Sequence, residues 1–231
     1  KDGGYILGGS SSSSPSSVTN TKAEGKMDAF PQTDLYSKSE KSRGNMDYWI
    51  VKLNKAGEVE WQKTYGGQYA DLLRSMEQTK DGGYILGGYS NSPQSGDKTE
   101  PNKGIGDYWV IKIDAVGAIE WQNTYGSNGD DQLYVIHQTQ DGGYIAGGNS
   151  NSTQPLTTLG GMVGNGTDYW VLRLDEKGEV IWRDDHGVTC RRWNWLDRPH
   201  KNAVLPVKKG GVFSCRSVRR RNHRRWSGWH R

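Results

Sequence analysis

The sequence predicts an all-β chain assembled from a tandem repeat, and three observations carry that prediction. The segment Asp107-Tyr-Trp-Val-Ile-Lys-Ile, which runs on through Trp121 to Gly126, has counterparts from Asp47 to Gly66 and from Asp168 to Gly187. A second block, Asp-Gly-Gly-Tyr-Ile, stands at Asp2, Asp81 and Asp141. The composition includes 32 Gly, 10 Trp and 12 Tyr but only 2 Phe, which suits short strands with aromatic cross-strand packing and glycine-bearing turns. Self-similarity at a fixed period marks a repeat architecture, and the Asp-Tyr-Trp copies recur every 60 to 61 residues. Helix signals are nearly absent, because β-branched, aromatic and glycine residues dominate throughout.

Each full unit resolves into four short strands. Residues 71–79 and 131–139 form the first. A turn follows at Lys80-Asp81-Gly82-Gly83, and again at Asp141-Gly142-Gly143; Asp-Gly is a strong hairpin signal, since glycine accepts positive φ without a Cβ clash. Tyr84–Gly88 is the second strand. In the third, Trp109, Ile111 and Ile113 alternate with Tyr108, Val110 and Lys112, a period of two with both faces largely apolar. Trp49 and Trp170 are the equivalents of Trp109. A tight turn with glycine at its left-handed position follows at Asp114–Gly117 and Asp175–Gly178. The fourth strand carries Trp61, Trp121 or Trp182. Between second and third strands lie loops 10–46, 89–106 and 149–167, rich in Ser, Asn, Gly, Thr and Pro. Their lengths change while the flanking strands do not, which places them on one rim. The 37-residue first loop reads as mostly disordered.

An antiparallel sheet that is apolar on both faces needs neighbours on both sides. Tandem four-stranded units supply them in a β-propeller; an open solenoid or sandwich stack is the second choice. The predicted fold is therefore an incomplete β-propeller: a partial blade over 1–66 and full blades over 67–126 and 127–187. Closure takes roughly four to eight blades. The chain therefore reads as a fragment whose open blade faces would self-associate.

The pair Asp-Gly-Gly-Tyr-Ile-Leu-Gly-Gly and Asp-Tyr-Trp-Val-x-Lys-Leu-Asp-x-x-Gly-x-x-x-Trp resembles a propeller repeat of secreted and surface proteins of the Bacteroidetes type. The resemblance spans residues 1–187 and implies an exported, secreted or cell-surface propeller used for adhesion or ligand binding. It carries no catalytic residues over. The element Asp114-x-x-Gly117-x-x-x-Trp121, with its copy Asp175-x-x-Gly178-x-x-x-Trp182, is similar to the turn-and-tryptophan element of quinoprotein propellers. That likeness implies a tryptophan docking one blade onto the next, without a quinone cofactor.

Candidate chemistry is sparse. No run approaches the roughly 18 apolar residues of a membrane span. Asp130-Asp131 and Asn165–Asp168 lack the spacing of a calcium loop, and turn chemistry accounts for them. His137, whose counterpart one repeat earlier is Glu77, has no nucleophile partner and reads as a solvated strand residue. The recurring Lys52, Lys112 and Arg173 would line a channel or form a structural ion pair, the second being the commoner outcome. Tyr48, Tyr108 and Tyr169 beside their tryptophans would stack on sugars or pack blades together, and packing is favoured. No catalytic, cofactor-binding or metal-ligating residue is assigned.

The net charge of +4 conceals an asymmetry. Residues 1–187 hold 17 basic and 25 acidic residues, whereas residues 188–231 hold 13 basic residues and Asp197 alone among acids. Both cysteines, Cys190 and Cys215, also fall in that tail. Its Arg, Trp and Cys are what glycine-rich repeat coding sequence yields in a shifted frame, so the tail reads as disordered or frameshift-derived rather than as a nucleic-acid-binding arm. The expected function is a non-catalytic binding or adhesion scaffold for an unknown ligand, glycan or protein. The alternative is a propeller enzyme, quinone-dependent or polysaccharide-degrading, whose active site lies in further blades.

Overall fold

A computed structural model describes residues 2–15, 38–151 and 167–184, apart from the side chains of Asp168 and Asp184. All of these fall within the unit Lys1–Arg192. Eleven strands are described: β1 (Tyr5–Ser11), β2 (Asp47–Leu53), β3 (Val59–Tyr65), β4 (Asp71–Gln78), β5 (Tyr84–Ser90), β6 (Asp107–Ile113), β7 (Ile119–Tyr125), β8 (Asp131–Gln138), β9 (Tyr144–Ser150), β10 (Asp168–Leu174) and β11 (Val180–Asp184). They form three antiparallel meanders, β1-β2-β3, β4-β5-β6-β7 and β8-β9-β10-β11. The predicted order of strands and turns is the observed one.

The copies repeat in register as well as in sequence. Tyr84 faces Ile113 as Tyr5 faces Leu53 and Tyr144 faces Leu174. Each third-to-fourth strand pairing slips at one place, between Lys112 and Ile113 and at the equivalent points in the other sheets. The first-to-second pairing slips at Leu73/Ser75 and at Leu133/Val135, leaving Arg74 and Tyr134 as bulge residues. Gly82 and Gly142 close their hairpins at φ +95° and +94°, in the left-handed region where a side chain is strained. Gly117 and Gly178 close the next hairpins at +85° and +83°, and Asp114 Oδ1 accepts the amides of Val116 and Ala118 to lock that turn.

The first sheet packs on the second and the second on the third. Between the first pair lie Tyr48, Ile50, Tyr65, Tyr84, Leu86 and Trp109 among the buried residues. Between the second pair lie the equivalents Tyr108, Val110, Tyr125, Tyr144 and Trp170, joined by Ile85, Leu133 and Ile136. Strand β6 is buried at all seven positions because both its faces are covered. Its alternation therefore sorts residues between two cores rather than between core and solvent.

Two boundaries differ from the sequence reading. The second strands run on through Ser11, Ser90 and Ser150, so the loops begin later than predicted. Ser90 is cross-strand partner to both Asp71 and Asp107, and this pairing carries the ladder past the two glycines. Residues 38–46, predicted as part of a disordered loop, are laid down on the first sheet through side-chain contacts described below. The remaining disorder expectation and the tail at 188–231 lie outside the described residues.

Candidate functional site

The recurring aromatic residues meet across the sheet interfaces. The Tyr48 hydroxyl donates to the Trp109 carbonyl at 3.0 Å, and Tyr108 repeats the bond to Trp170 at 3.0 Å. The rings of each pair lie 5.0 and 4.7 Å apart, a spacing for favourable tilted packing. Both phenols are fully buried, which pushes their pKa well up and keeps them as donors. Gly148 leaves the space for this contact: a Cβ there would stand 2.6 Å from the Tyr108 hydroxyl.

The tryptophans of the fourth strands reach the turn of the next sheet. Trp61 Nε1 donates to the Ala115 carbonyl at 3.2 Å and Trp121 Nε1 to the Glu176 carbonyl at 3.1 Å. Beside them Tyr65 and Tyr125 donate to the carbonyls of Gly117 and Gly178, both at 2.6 Å. The indole rings of Trp61 and Trp121 also sit edge-on to Tyr84 and Tyr144. Trp49 and Trp109 instead donate to Gln62 and Gln122 of their own sheets. In the third sheet that acceptor position holds Arg183, whose side chain has no acceptor atom, and the buried Trp170 indole nitrogen has no partner among the described residues.

At the hairpin end, Lys112 is almost fully buried and donates to Asp81 at 2.9 Å, Glu120 at 2.6 Å and its neighbour Ile113 O at 3.1 Å. Gly83, the second glycine of its turn, makes room for the ammonium, which lies 2.7 Å from where a Cβ would be. Gly143 does the same for Arg173. Lys52 pairs with Asp2 and Glu60, and Arg173 with Asp141 at 2.5 Å. Residue 181 is Ile where the other copies have Glu60 and Glu120. Lys52 and Lys112 therefore each tie three chain segments together, whereas Arg173 ties two. An open cleft of about 370 Å³ lies beside them, lined by Lys80, Asp81, Lys112, Trp121, Tyr144 and Glu176. Its charged groups are largely spent on one another and on main-chain carbonyls, Lys80 donating to Thr139 O and Gln140 O.

His137 and Glu77, equivalent positions of successive copies, meet each other: His137 Nδ1 lies 3.0 Å from Glu77 Oε2. Asp130 accepts from Gln132, and Asp131 from the amide and hydroxyl of Ser127. Among the described residues no three His, Cys, Asp or Glu side chains group as a metal site.

The opposite end, where the long loops emerge, is built on buried aspartates that open the strands. Asp47, Asp71, Asp107 and Asp131 are each wholly buried and each accept the main-chain amide four residues earlier, at 2.6 to 2.7 Å. Asp107 Oδ1 rests over Gly126, where a Cβ would come within 1.9 Å; Asp47 and Gly66 repeat the arrangement. Burial raises all four carboxyls, Asp107 to about 6, assisted by the nearby Asp131 charge and opposed by the Lys103 amide. Two further anchors recur there. Glu40 and Glu100 accept the amides of Thr64 and Thr124, and the buried Lys38 and Lys98 donate within their own loops. Sequence reasoning missed this Lys-x-Glu element, although counting back nine and seven residues from Asp47 and Asp107 finds it in both copies. Tyr69 and Ile105 stand on this rim with 47% and 68% of their surface exposed, amid Ser, Asn and Gly. The rim is the candidate functional site.

No family model and no curated protein matches the chain. Among solved structures, a protein of unknown function from Bacteroides caccae aligns at 10% identity and a TM-score of 0.29, over 62% of this chain and 57% of that one. A likeness at that level assigns neither fold nor function.

Proposed function

We propose that this chain is a β-propeller-type scaffold, exported or displayed at the cell surface, which binds its ligand through the loop rim without catalysing a reaction. The observation that carries the reading is the division of labour among residues. Nearly every residue type that recurs with the repeat is engaged inside the framework: Tyr108 on Trp170, Lys112 on Asp81 and Glu120, Asp107 on the Lys103 amide. What differs between copies is concentrated in the rim loops. A constant framework carrying variable loops is a recognition architecture. Loops pinned by buried aspartates lose less entropy on binding than free ones.

An aromatic and an aliphatic side chain exposed among small polar residues fit a ligand with mixed polar and apolar surface, such as a glycan or a protein segment. A glycan array and a panel of extracellular-matrix proteins, probed with the full chain, test this. The expected result is binding that Tyr69→Ala and Ile105→Ser weaken at least tenfold while Lys80→Ala, at the other end, leaves it unchanged. Binding that follows the hairpin end instead, no binding to either panel, or turnover of a polysaccharide would contradict the reading.

A further inference from the structure

The two sheet interfaces inside the chain are copies of one another, and each joins a particular pair of surfaces. One surface presents the fourth-strand tryptophan, Trp61 or Trp121. The other presents the first tyrosine and the third residue of a second strand with the glycine turn of the same sheet: Tyr84, Leu86 and Gly117, or Tyr144, Ala146 and Gly178. In these interfaces Tyr84, Leu86, Tyr144 and Ala146 are each at most 2% exposed.

Among the described residues each kind of surface also occurs once uncovered. On the first sheet, Tyr5 and Leu7 are 59% and 54% exposed. A Cβ on Gly57 would meet nothing within 4 Å, whereas one on Gly117 would meet Lys63 at 2.7 Å and one on Gly178 would meet Trp121 at 2.8 Å. On the third sheet, Trp182 is 45% exposed, with Ile181 and Val180 beside it at 57% and 39%. The second sheet stands between these two surfaces, and the three described sheets do not bring them round to one another.

We propose that the uncovered surfaces bind each other between copies of this chain, head to tail, with Trp182 of one molecule seated against the Lys55–Gly57 turn and Tyr5 of the next. The occupant follows from the two internal interfaces: what covers a fourth-strand tryptophan is a second-strand tyrosine and the turn of its own sheet, and the first sheet offers that combination with its receiving positions open. The contact is heterologous, so each molecule uses one surface as donor and the other as acceptor and assembly continues beyond a pair. This inference rests on the repeat interface and is independent of the ligand-binding reading.

Sedimentation velocity on the full chain tests it. The weight-average mass is expected to rise with concentration beyond twice the chain mass. Leu7→Glu and Trp182→Glu, both at exposed positions, are each expected to remain monomeric, with strand content unchanged by circular dichroism. An equimolar mixture of the two variants retains one intact donor and one intact acceptor, so it is expected to form a 1:1 dimer and nothing larger. Ile105→Glu, on the loop rim, is expected to associate like the parent chain. A parent chain that stays monomeric, single variants that still assemble, or folded variants that fail to pair in the mixture would each overturn the proposal.

Discussion

The hydroxyl of Tyr108 in the second sheet donates to the main-chain carbonyl of Trp170 in the third, and Tyr48 makes the same bond to Trp109 one repeat earlier, each at 3.0 Å. Phenol and acceptor are both inside the core, so neither has water as an alternative partner. The bond therefore fixes the spacing of two sheets as well as contributing to their stability. In its first two copies the motif Asp-Tyr-Trp thus encodes a contact between neighbouring repeats rather than an exposed aromatic platform, whereas Tyr169 of the third copy is 42% exposed.

The Gly57 and Gly117 turns share backbone geometry, with φ of +84° and +85°, and differ in what faces them. Alanine at Gly57 is expected to cost only the left-handed backbone term, about 1–2 kcal/mol. Alanine at Gly117 meets Lys63, Tyr65 and Trp61 of the first sheet as well and is expected to cost about 1–3 kcal/mol more. Urea unfolding of the two variants measures the difference, and equal losses would show that the turn is not a docking element.

The Trp170 indole, without a partner among the described residues, offers a stabilising substitution. Arg183, an exposed residue paired across from Leu172, stands where Gln62 and Gln122 accept from Trp49 and Trp109. Arg183→Gln is expected to restore the acceptor and raise stability by about 1 kcal/mol, read as a higher unfolding midpoint. The tryptophan side-chain N–H resonance should shift downfield as the bond forms.

Burial raises the Asp107 carboxyl from 3.8 to about 6. Its stabilising contribution is present in full below the unfolded value and is lost as pH rises through about 6. Asp47, Asp71 and Asp131 are raised in the same direction and act with the same sign. Stability of the parent chain is therefore expected to fall between pH 4 and 6. Asp107→Asn keeps an acceptor for the Lys103 amide and removes one of the titrating groups. It is expected to show a shallower fall over that window in midpoint-versus-pH measurements.

Asp81 behaves oppositely. Desolvation alone would raise its carboxyl, but bonds from Thr79, Lys112 and the Gly83 amide outweigh it and bring the value to about 2. Its contribution is present above 3.8 and is lost as pH falls through about 2. Lys112→Met removes the ammonium and leaves Asp81 and Glu120 without it. The Asp81 carboxyl, followed by NMR titration, is expected to rise toward its ordinary value, and the variant to lose stability at a higher pH than the parent.

Strands and hairpins were legible because the signals that set them are local. Asp81-Gly82 and Asp114–Gly117 dictate turns, and the alternation from Tyr108 to Ile113 dictates an extended strand with two apolar faces. Trp61 and Trp121 reach the turns of the next sheet, a contact that no signal within their own strands specifies. The loop anchors were not legible, because Lys98-Thr-Glu100 sits in a polar stretch whose composition reads as irregular. Its order comes from Thr124, distant in sequence. The bulges at Arg74 and Tyr134 likewise depend on how β4 and β8 register with their partners, which no single strand specifies. The contact of His137 with Glu77 emerges only when equivalent positions of two sheets are stacked, so nothing in the sequence of β8 alone distinguishes it from a solvated side chain.

The central claim, that the recurring aromatic residues serve to dock one repeat on the next, is tested most directly by urea unfolding of Tyr48→Phe, Tyr108→Phe and the double variant. Removing either hydroxyl leaves a buried carbonyl without its donor, and each substitution is expected to cost about 1–3 kcal/mol. The two bonds belong to separate interfaces, so the losses should add to within about 0.5 kcal/mol. Unchanged unfolding midpoints in all three variants would contradict the account.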